Sequence, residues 1–240
     1  ADHYNKTEAD TLLAAKATNT ALATTNTAVA LKAPIASPSF TGNVDIVHDN
    51  NNPLRLQNST GLNVKLKFED NANRQGEIAL HTGNFTFSNG TSSVTERMRI
   101  DAAGRVTMPN QPAFRVCKDN GDTSSTGYIV WNAPKINVGG HYSTSTGKFT
   151  APVAGNYYFA VRALTASATQ NNIWIGIKHN GNDVLQTYHT HTNHSNISGE
   201  AIITMAVNDY VQIYWGGTGG IHTGSTSHHR YTFFQGHLIG

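Results

Sequence analysis

The sequence predicts a mainly β protein with three parts: a coiled-coil stalk over residues 1–33, a β-rich shaft over 34–109 and a β-sandwich head over 110–240. Three observations support this division. Heptads without charged residues occupy residues 18–31, and short alternating strands separated by turn residues continue to residue 108. Longer strands that are rich in aromatic residues fill the remainder.

The composition limits the functions that the chain can perform. Only 13% of its 240 residues are charged, and the formal net charge of +2 is too weak to predict nucleic acid or an anionic membrane as a partner. The single cysteine, Cys117, excludes an intrachain disulfide, so stability must come from burial or assembly. No apolar run is long enough to span a bilayer, and we expect no membrane insertion.

The first part, residues 1–33, contains the near-repeat TNTALATTNTAVAL. Asparagine at a core position costs stability but fixes the register and the number of strands, which favours a parallel coiled coil that is held together by downstream parts. A disordered polar linker is the alternative, because threonine-rich and asparagine-rich segments with few charges are common in linkers. Position a holds Leu12, Asn19 and Asn26, and position d holds Ala15, Leu22 and Val29.

The second part, residues 34–109, begins with Pro34 and Pro38, which end any helix and favour extended chain. Its short strands carry few large side chains and would make a poor core within one chain. We therefore expect an intertwined shaft in which identical neighbours interleave and burial occurs between chains. The strand segments are NVDIV, PLRLQ, LNVKLKF, EIALH, NFTFS and RMRIDAAGRVTM.

Three motifs in these two parts resemble segments of bacteriophage tail fibres. They are YNKTEADTLLAAK near the start, KAPIASPSFTG at 32–42 and ERMRIDAAGRVTM at 96–108. The resemblance implies a parallel homotrimer in a virion, attached to other tail proteins at its N-terminal end. It also implies a receptor-binding protein that mediates host attachment. A bacterial surface or spore-coat adhesin with the same kind of head is the alternative.

The third part, residues 110–240, has many strands at regular spacing, which predicts an all-β sandwich. Asn180-Gly181 between two alternating strands predicts a hairpin turn. The segments GKFTAP at 147–152, GNYYF at 155–159 and FQGHL at 234–238 resemble the globular head of complement component one-q, a tumour-necrosis-factor-like jelly roll. That resemblance also implies a trimer. Asn208 departs from the family pattern, which usually has glycine there.

If neighbouring strands alternate in direction, several loops of the head gather at the end opposite to the shaft. Small polar groups beside aromatic rings suit sugars, so we expect this end to bind a cell-surface glycan or protein of the host. Ordinary solvated loops are the alternative. The candidate receptor-binding residues are Tyr188, His191, Asn193, His194, Trp215, His222, His228 and His229.

A metal site is a further candidate. His189 and His191 alternate on a strand and therefore face the same side, so three chains would supply six imidazoles around an axis. Such a nitrogen set suits iron, nickel or zinc on the trimer axis. Exposed histidines without a metal are the alternative. No pair of carboxylates flanks a plausible reaction site and no histidine is placed beside Cys117, so we predict that the chain is not an enzyme.

Overall fold

A computed structural model describes residues 5–14, 24, 56, 63–119, 126–166, 170–191, 193–223 and 230–240. Most of the predicted heptads, the proline-containing segment and the first two predicted shaft strands lie outside these residues. Their structure stays a prediction, and so does the division into stalk, shaft and head. Among the described residues, no helix has the length and apolar character to cross a bilayer.

Helix α1, Lys6–Ala14, begins at a cap that the sequence encodes. The Asn5 side chain accepts a hydrogen bond from the Glu8 N–H at 2.9 Å, and the Glu8 carboxylate accepts one from the Asn5 N–H at 2.9 Å. This reciprocal pair is a capping box with asparagine at the N-cap, and it satisfies two backbone donors at the helix start. Lys6 and Asp10, one turn apart, add an exposed ion pair at 2.7 Å.

Residues 64–107 form a five-stranded antiparallel meander in which each strand pairs with the next. Each strand pairs with strands of the same chain, and the expectation that identical neighbours interleave here stays a prediction. Short turns between consecutive strands explain the pairing within one chain, because a hairpin closes at a smaller entropic cost than pairing with another chain. The strands are β1 Val64–Glu69, β2 Arg74–His81, β3 Asn84–Thr91, β4 Thr95–Ile100 and β5 Val106–Thr107.

Two turns of the meander share one hydrogen-bond pattern. The Asp70 carboxylate accepts from the N–H groups of Ala72 and Arg74 and from Arg74 Nε, at 2.6–3.0 Å. Asp101 does the same in the β4–β5 turn, with Arg105 Nε at 2.7 Å. The pKa of each of these carboxyls lies below its usual value, mainly because the carboxylate accepts a hydrogen bond from the backbone N–H of the arginine. The D-x-x-x-R spacing therefore encodes a specific turn.

The meander separates its side chains into one apolar and one polar face. The pairing registers align Leu66 with Ile78, Ile78 with Phe87 and Phe87 with Met98. Because side chains alternate along a strand, every register-matched residue of this row lies on the same side. We call this side the meander apolar face; it comprises Val64, Leu66, Phe68, Ile78, Leu80, Phe85, Phe87, Met98, Ile100 and Val106.

The remaining strands form a sandwich of two antiparallel sheets, which confirms the predicted mainly β jelly roll. One sheet has the order β13-β10-β15-β6-β8, and the other has the order β12-β11-β14-β7 with β9 also paired to β14. A short 3₁₀ helix, Val138–Gly140, follows β8. The strands are β6 Ala113–Cys117, β7 Gly127–Tyr128, β8 Ala133–Asn137, β9 Phe149–Thr150, β10 Gly155–Leu164, β11 Gln170–His179, β12 Asn182–His191, β13 Asn196–Met205, β14 Tyr210–Thr218 and β15 Phe233–Leu238.

The core of the sandwich lies between its sheets and follows the alternation of the sequence. In β11 the isoleucines at 173, 175 and 177 are fully buried, whereas Trp174 between them points to the other side of the sheet. An aromatic cluster fills the remainder of the core, with Phe114 stacked on Phe149 at 4.9 Å between ring centroids. The largest buried side chains are Trp131, Trp215, Tyr157, Phe149, Phe159 and Phe234.

Two parts of the sandwich differ from the sequence prediction. The alternating segment GYIVWN at 127–132 predicts a strand, but β7 covers only Gly127–Tyr128. The Ile129 N–H still donates to the Ile213 carbonyl oxygen at 2.9 Å, and Ile129 and Trp131 are buried in the core. Strand β8 was not among the predicted strands, and it contains Pro134, a residue that is disfavoured in a strand interior. It is tolerated because β8 lies at the edge of its sheet, where one side of the strand needs no ladder donors.

Candidate functional site

The strand registers place the described ends of the predicted loops at one end of the sandwich. At the end where the meander enters, Ala113 pairs with His237 and Gly155 pairs with Met205. At the opposite end, Leu164 pairs with Asn196 and Cys117 pairs with Phe233. The chain around Thr165, Ser195 and His222 therefore lies at the far end, while the Asn180-Gly181 turn bonds to Tyr210 at the near end. Binding by the far-end loops stays a prediction.

Three of the predicted histidines belong to one polar network at this far end. His194 Nδ1 lies 2.7 Å from the Thr165 carbonyl oxygen, and the rings of His194 and His222 are 4.7 Å apart. His189 Nε2 lies 2.8 Å from Ser195 Oγ, and the Ser195 N–H donates to Thr165 Oγ1 at 2.9 Å. These histidines hold adjacent loops together, so they position the loops as well as offering ring atoms to a partner.

The expectation that Trp215 borders the binding surface is wrong. Its side chain is 0% exposed, and its indole N–H donates to the Gly219 carbonyl oxygen at 2.9 Å. Trp215 shares its side of β14 with Val211 and Ile213, both buried, so strand alternation directs the indole into the core. Removal of the Trp215 side chain would therefore lower the stability of the sandwich, and it would not remove a surface contact.

The other predicted loop residues divide by position. Tyr188 is 64% exposed, and Asn193 and His194 are exposed. The side chain of His191 and the whole of His228 and His229 lie outside the described residues. Sequence reasoning missed Trp174, although the pattern IWIGI places it opposite three isoleucines and so could have indicated its direction.

The metal prediction rests on His189 and His191. Within the part of the chain that the structure describes, no group of three or more histidine, cysteine, aspartate or glutamate side chains is arranged to hold a metal ion. His189 Nε2 is engaged with Ser195, so a metal would have to replace that contact or use Nδ1. A site assembled from three chains stays a prediction.

Four aromatic rings form a row across the outward side of the β12-β11-β14-β7 sheet. Tyr188, Trp174 and Tyr214 lie on three adjacent strands, and Tyr128 of β7 continues the row. Trp174 and Tyr214 are stacked, with centroids 5.1 Å apart and an interplanar angle of 18°. Tyr128 meets Tyr214 edge-on at 5.1 Å. We call these four residues the aromatic surface.

The outward side of the other sheet is mixed in character. Ile202 of β13 is 66% exposed beside Tyr158 of β10, whose hydroxyl donates to Glu200 at 2.5 Å. The Arg115 guanidinium lies 4.1 Å from the centroid of the Phe233 ring. A groove of about 460 Å³ on this side is lined by residues that include Arg162, Glu200 and Phe233. We call this side the β10 face; it comprises Arg115, Tyr158, Ala160, Arg162, Glu200, Ile202, Phe233 and Gln235.

A family model described as the C1q domain matches residues 113–239, which is more than half of the chain. This chain belongs to the C1q domain family. The match confirms the resemblance of the head to complement component one-q. C1q domains form homotrimers, which supports self-association of this chain. The C1q family is non-enzymatic, and the chain is not an enzyme.

Several known proteins are similar to this C1q-family chain. Complement C1q tumor necrosis factor-related protein 3 of Mus musculus is 28% identical over 113 residues, covering 46% of this chain and 44% of that protein. Complement C1q tumor necrosis factor-related protein 2 of Mus musculus is 35% identical over 89 residues, covering 36% of this chain and 29% of that protein. The chain thus spans less than half the length of these relatives. The globular domain of zebrafish complement 1qA protein is 20% identical over 54% of this chain and 98% of its own, with a TM-score of 0.43.

These relatives overturn the predicted function. The matched proteins are complement C1q tumor necrosis factor-related proteins of mouse and human, so the expectations of a bacteriophage tail-fibre tip, a virion location and tail-protein partners are wrong. The same proteins give no support to a bacterial surface or spore-coat adhesin. The motif ERMRIDAAGRVTM misled because its D-x-x-x-R part encodes a local β turn around Asp101, which any meander can use.

Proposed function

We propose that this C1q-family chain is a recognition protein that acts as a homotrimer and presents three heads to one partner surface. The observation that carries the proposal is on the β10 face, where Ile202 is 66% exposed beside Tyr158 and the Arg115 guanidinium covers the Phe233 ring. Exposed apolar groups rimmed by polar ones mark association sites on soluble proteins. Family membership supports the same stoichiometry, since C1q domains form homotrimers.

The polar groups of the β10 face suit an interface between identical copies. Arg115 Nη1 donates to Gln235 Oε1 at 3.0 Å, and the guanidinium also covers the Phe233 ring. Arginine and aromatic residues are enriched in the buried centres of interfaces, where planar groups pack closely. One Arg115 N–H and the Gln235 side-chain oxygen are thus already paired within one chain, which lowers the cost of burying them against a second copy.

The meander supports a second contact between the same three chains. Its apolar face spans all five strands, and Phe68 is 55% exposed in the single chain. Three such sheets with their apolar faces turned inward would bury every residue of this face around one axis. A trimeric meander directly before a trimeric head requires only one symmetry axis, which is the usual arrangement of homo-oligomers.

The far-end loops are the proposed contact region for a macromolecular partner of the trimer. Asn193 and His194 are exposed there, and His222 lies beside His194. Loops on a rigid sandwich are common recognition elements. Three linked copies raise the overall affinity of a weak site by about two to four orders of magnitude, so modest contacts at each loop would suffice.

Light scattering coupled to size exclusion tests the proposal on the intact chain. We expect a mass of three times 25.9 kDa. Ile202→Lys places a charge in the proposed head interface and should lower the fraction of trimer. Val184→Lys is the matched control, since Val184 is an exposed branched residue of β12 in the other sheet. A wild-type monomer at micromolar concentration would refute the proposal.

A further inference from the structure

We propose that the aromatic surface of the head binds a neutral glycan, with Trp174 and Tyr188 as the principal stacking residues. This inference names a ligand class for the proposed recognition function and rests on that function only for avidity. The site lies on the side of the sandwich opposite to the β10 face, so it remains accessible when heads associate through that face. It also differs from the far-end loop site.

Two glycines build a platform for the Trp174 indole. A Cβ atom at Gly216 would come within 2.1 Å of Trp174 Cε2, and one at Gly176 would come within 3.0 Å of Cζ3. The indole therefore lies over a stretch of sheet that has no side chains of its own. The ring lies against these glycine positions and is stacked beside Tyr214, so the indole is held in place and is partly exposed. An indole held in this way offers a rigid apolar plane without losing further rotamer freedom on binding.

The neighbouring rings continue the aromatic surface as a row, in which Tyr188 is tilted by 36° from Trp174 and Tyr128 stands at 89° to Tyr214. Tyr188 lies 6.2 Å from Trp174 and is 64% exposed, and Tyr128 at the other end of the row is 47% exposed. The row crosses four strands and forms no enclosed cavity, so it suits an extended ligand better than a compact one. The C–H face of a sugar ring is apolar and packs well on an aromatic plane, while its hydroxyls need polar partners at the edge.

Polar groups at the edge of the row are placed for those hydroxyls. The Tyr188 hydroxyl donates to Gln186 Oε1 at 2.9 Å, and the Gln186 side chain also hydrogen-bonds to the Asp183 carboxylate. The Tyr188 hydroxyl oxygen and the Asp183 carboxylate can therefore accept hydrogen bonds from sugar hydroxyls. Lys178 Nζ lies 5.2 Å from the Tyr214 ring centroid and pairs with Asp183 at 2.7 Å. Because this ammonium is already neutralised by a carboxylate, the row offers little attraction to an anionic glycan. The chemistry therefore favours a neutral one.

Intrinsic fluorescence can report on this site. The chain has three tryptophans, of which Trp131 and Trp215 are fully buried, so a ligand on the aromatic surface should change the emission of Trp174. The intact chain is first applied to an array of immobilised neutral and sulfated oligosaccharides. Cellohexaose, maltohexaose and chitohexaose are then titrated in solution, with fluorescence and calorimetry as readouts. We expect binding to at least one neutral hexasaccharide and a change in emission on saturation.

Variants assign the binding to named residues. Trp174→Ala and Tyr188→Ala should each weaken the affinity roughly tenfold or more, as expected for the loss of a stacked aromatic contact. Gly216→Ala retains all four rings but displaces the indole from its platform, and it should weaken binding as well. Val184→Ala is the matched control, because Val184 lies on the same side of β12 as Tyr188 and is exposed. Unchanged thermal unfolding and unchanged mass verify that each variant is folded and assembled.

Three outcomes would overturn the inference. Neutral glycans could fail to bind the wild-type chain, or only sulfated glycans could bind. Binding could also persist in Trp174→Ala and Tyr188→Ala while His194→Ala abolishes it, which would assign the ligand to the far-end loops. A monomeric chain that still binds a neutral hexasaccharide in a Trp174-dependent manner would refute the proposed trimer and leave this inference standing.

Discussion

The Tyr142 hydroxyl bonds to both backbone groups of Trp131. It accepts from the Trp131 N–H at 3.1 Å and donates to the Trp131 carbonyl oxygen at 3.2 Å, in a buried position. Burial raises the pKa of the Tyr142 phenol, which therefore stays protonated and able to donate. The contact satisfies the polar backbone of the irregular segment that brings Trp131 into the core.

Removal of this hydroxyl is expected to destabilise the head. Tyr142→Phe leaves a buried N–H and a buried carbonyl without their partner, at a cost of about 1–3 kcal/mol in the free energy of unfolding. Urea unfolding monitored by tryptophan fluorescence measures the change. Tyr128→Phe is the control, since its hydroxyl belongs to a residue that is 47% exposed. Equal midpoints for both variants would contradict the assignment.

The Asp–Arg turns should make the meander sensitive to acid. The pKa values of Asp70 and Asp101 are lowered in the folded chain, so their contribution to stability is complete above the unfolded pKa of about 3.8 and is lost as pH falls through the lower folded values. Hydrogen exchange at pH 7 and at low pH, corrected for intrinsic rates, should show the β4–β5 turn opening first. The β2–β3 turn at Thr82-Gly83, which has no carboxylate, is the internal control.

A substitution at Asp101 tests whether the β4–β5 turn depends on the charge of the carboxylate or only on its hydrogen-bond geometry. Asp101→Asn retains an acceptor oxygen for the Ala103 and Arg105 N–H groups but cannot ionise. We expect faster exchange in the β4–β5 turn at pH 7 and little additional change on acidification. A pH response as large as that of the wild type would show that other groups cause the acid sensitivity.

Asn208 occupies a backbone conformation that favours glycine. Its φ is 70°, in the turn where its N–H donates to the Ala151 carbonyl oxygen. Asparagine tolerates the left-handed region better than most residues, and Asn208→Ala should therefore cost about 1 kcal/mol. Asn208→Gly should be close to neutral. Thermal unfolding compares the two, and an alanine variant more stable than the glycine variant would disprove the explanation.

The meander apolar face should respond to charge in a way that its polar face does not. Phe87→Lys places an ammonium in the centre of the apolar face, and we expect it to shift the mass of the intact chain toward the monomer. Ser88→Lys is the matched control on the opposite side, where Ser88 is paired with Glu77 and Glu96. Loss of trimer in both variants, or in neither, would indicate that the meander contributes no contact between chains.

The sequence predicted most strands of the head because alternation and turn residues act locally. Asn180-Gly181 formed the expected hairpin turn, and the segments at 147–159 and 234–238 indicated the family that was later found. The same local signals gave incomplete predictions where the structure depends on contacts with residues that are distant in the sequence. Strand β8 was not predicted, and its Pro134 is tolerated because the strand lies at a sheet edge.

Local pattern by itself determined that Trp174 and Ile175, or Tyr214 and Trp215, lie on opposite sides of their strands. The Asp101 turn is also local, because its carboxylate bonds to N–H groups within four residues, although the segment RMRIDAAGRVTM was predicted as one strand and the structure divides it into β4 and β5. The tertiary structure decided which side faces the core. Both sides of β11 and β14 carry large apolar or aromatic groups, and burial is settled by the sheet that covers them. As a result, Trp215 is buried in the core, whereas Trp174 lies over glycine backbone on the outward side. The candidate glycan site is therefore on that side.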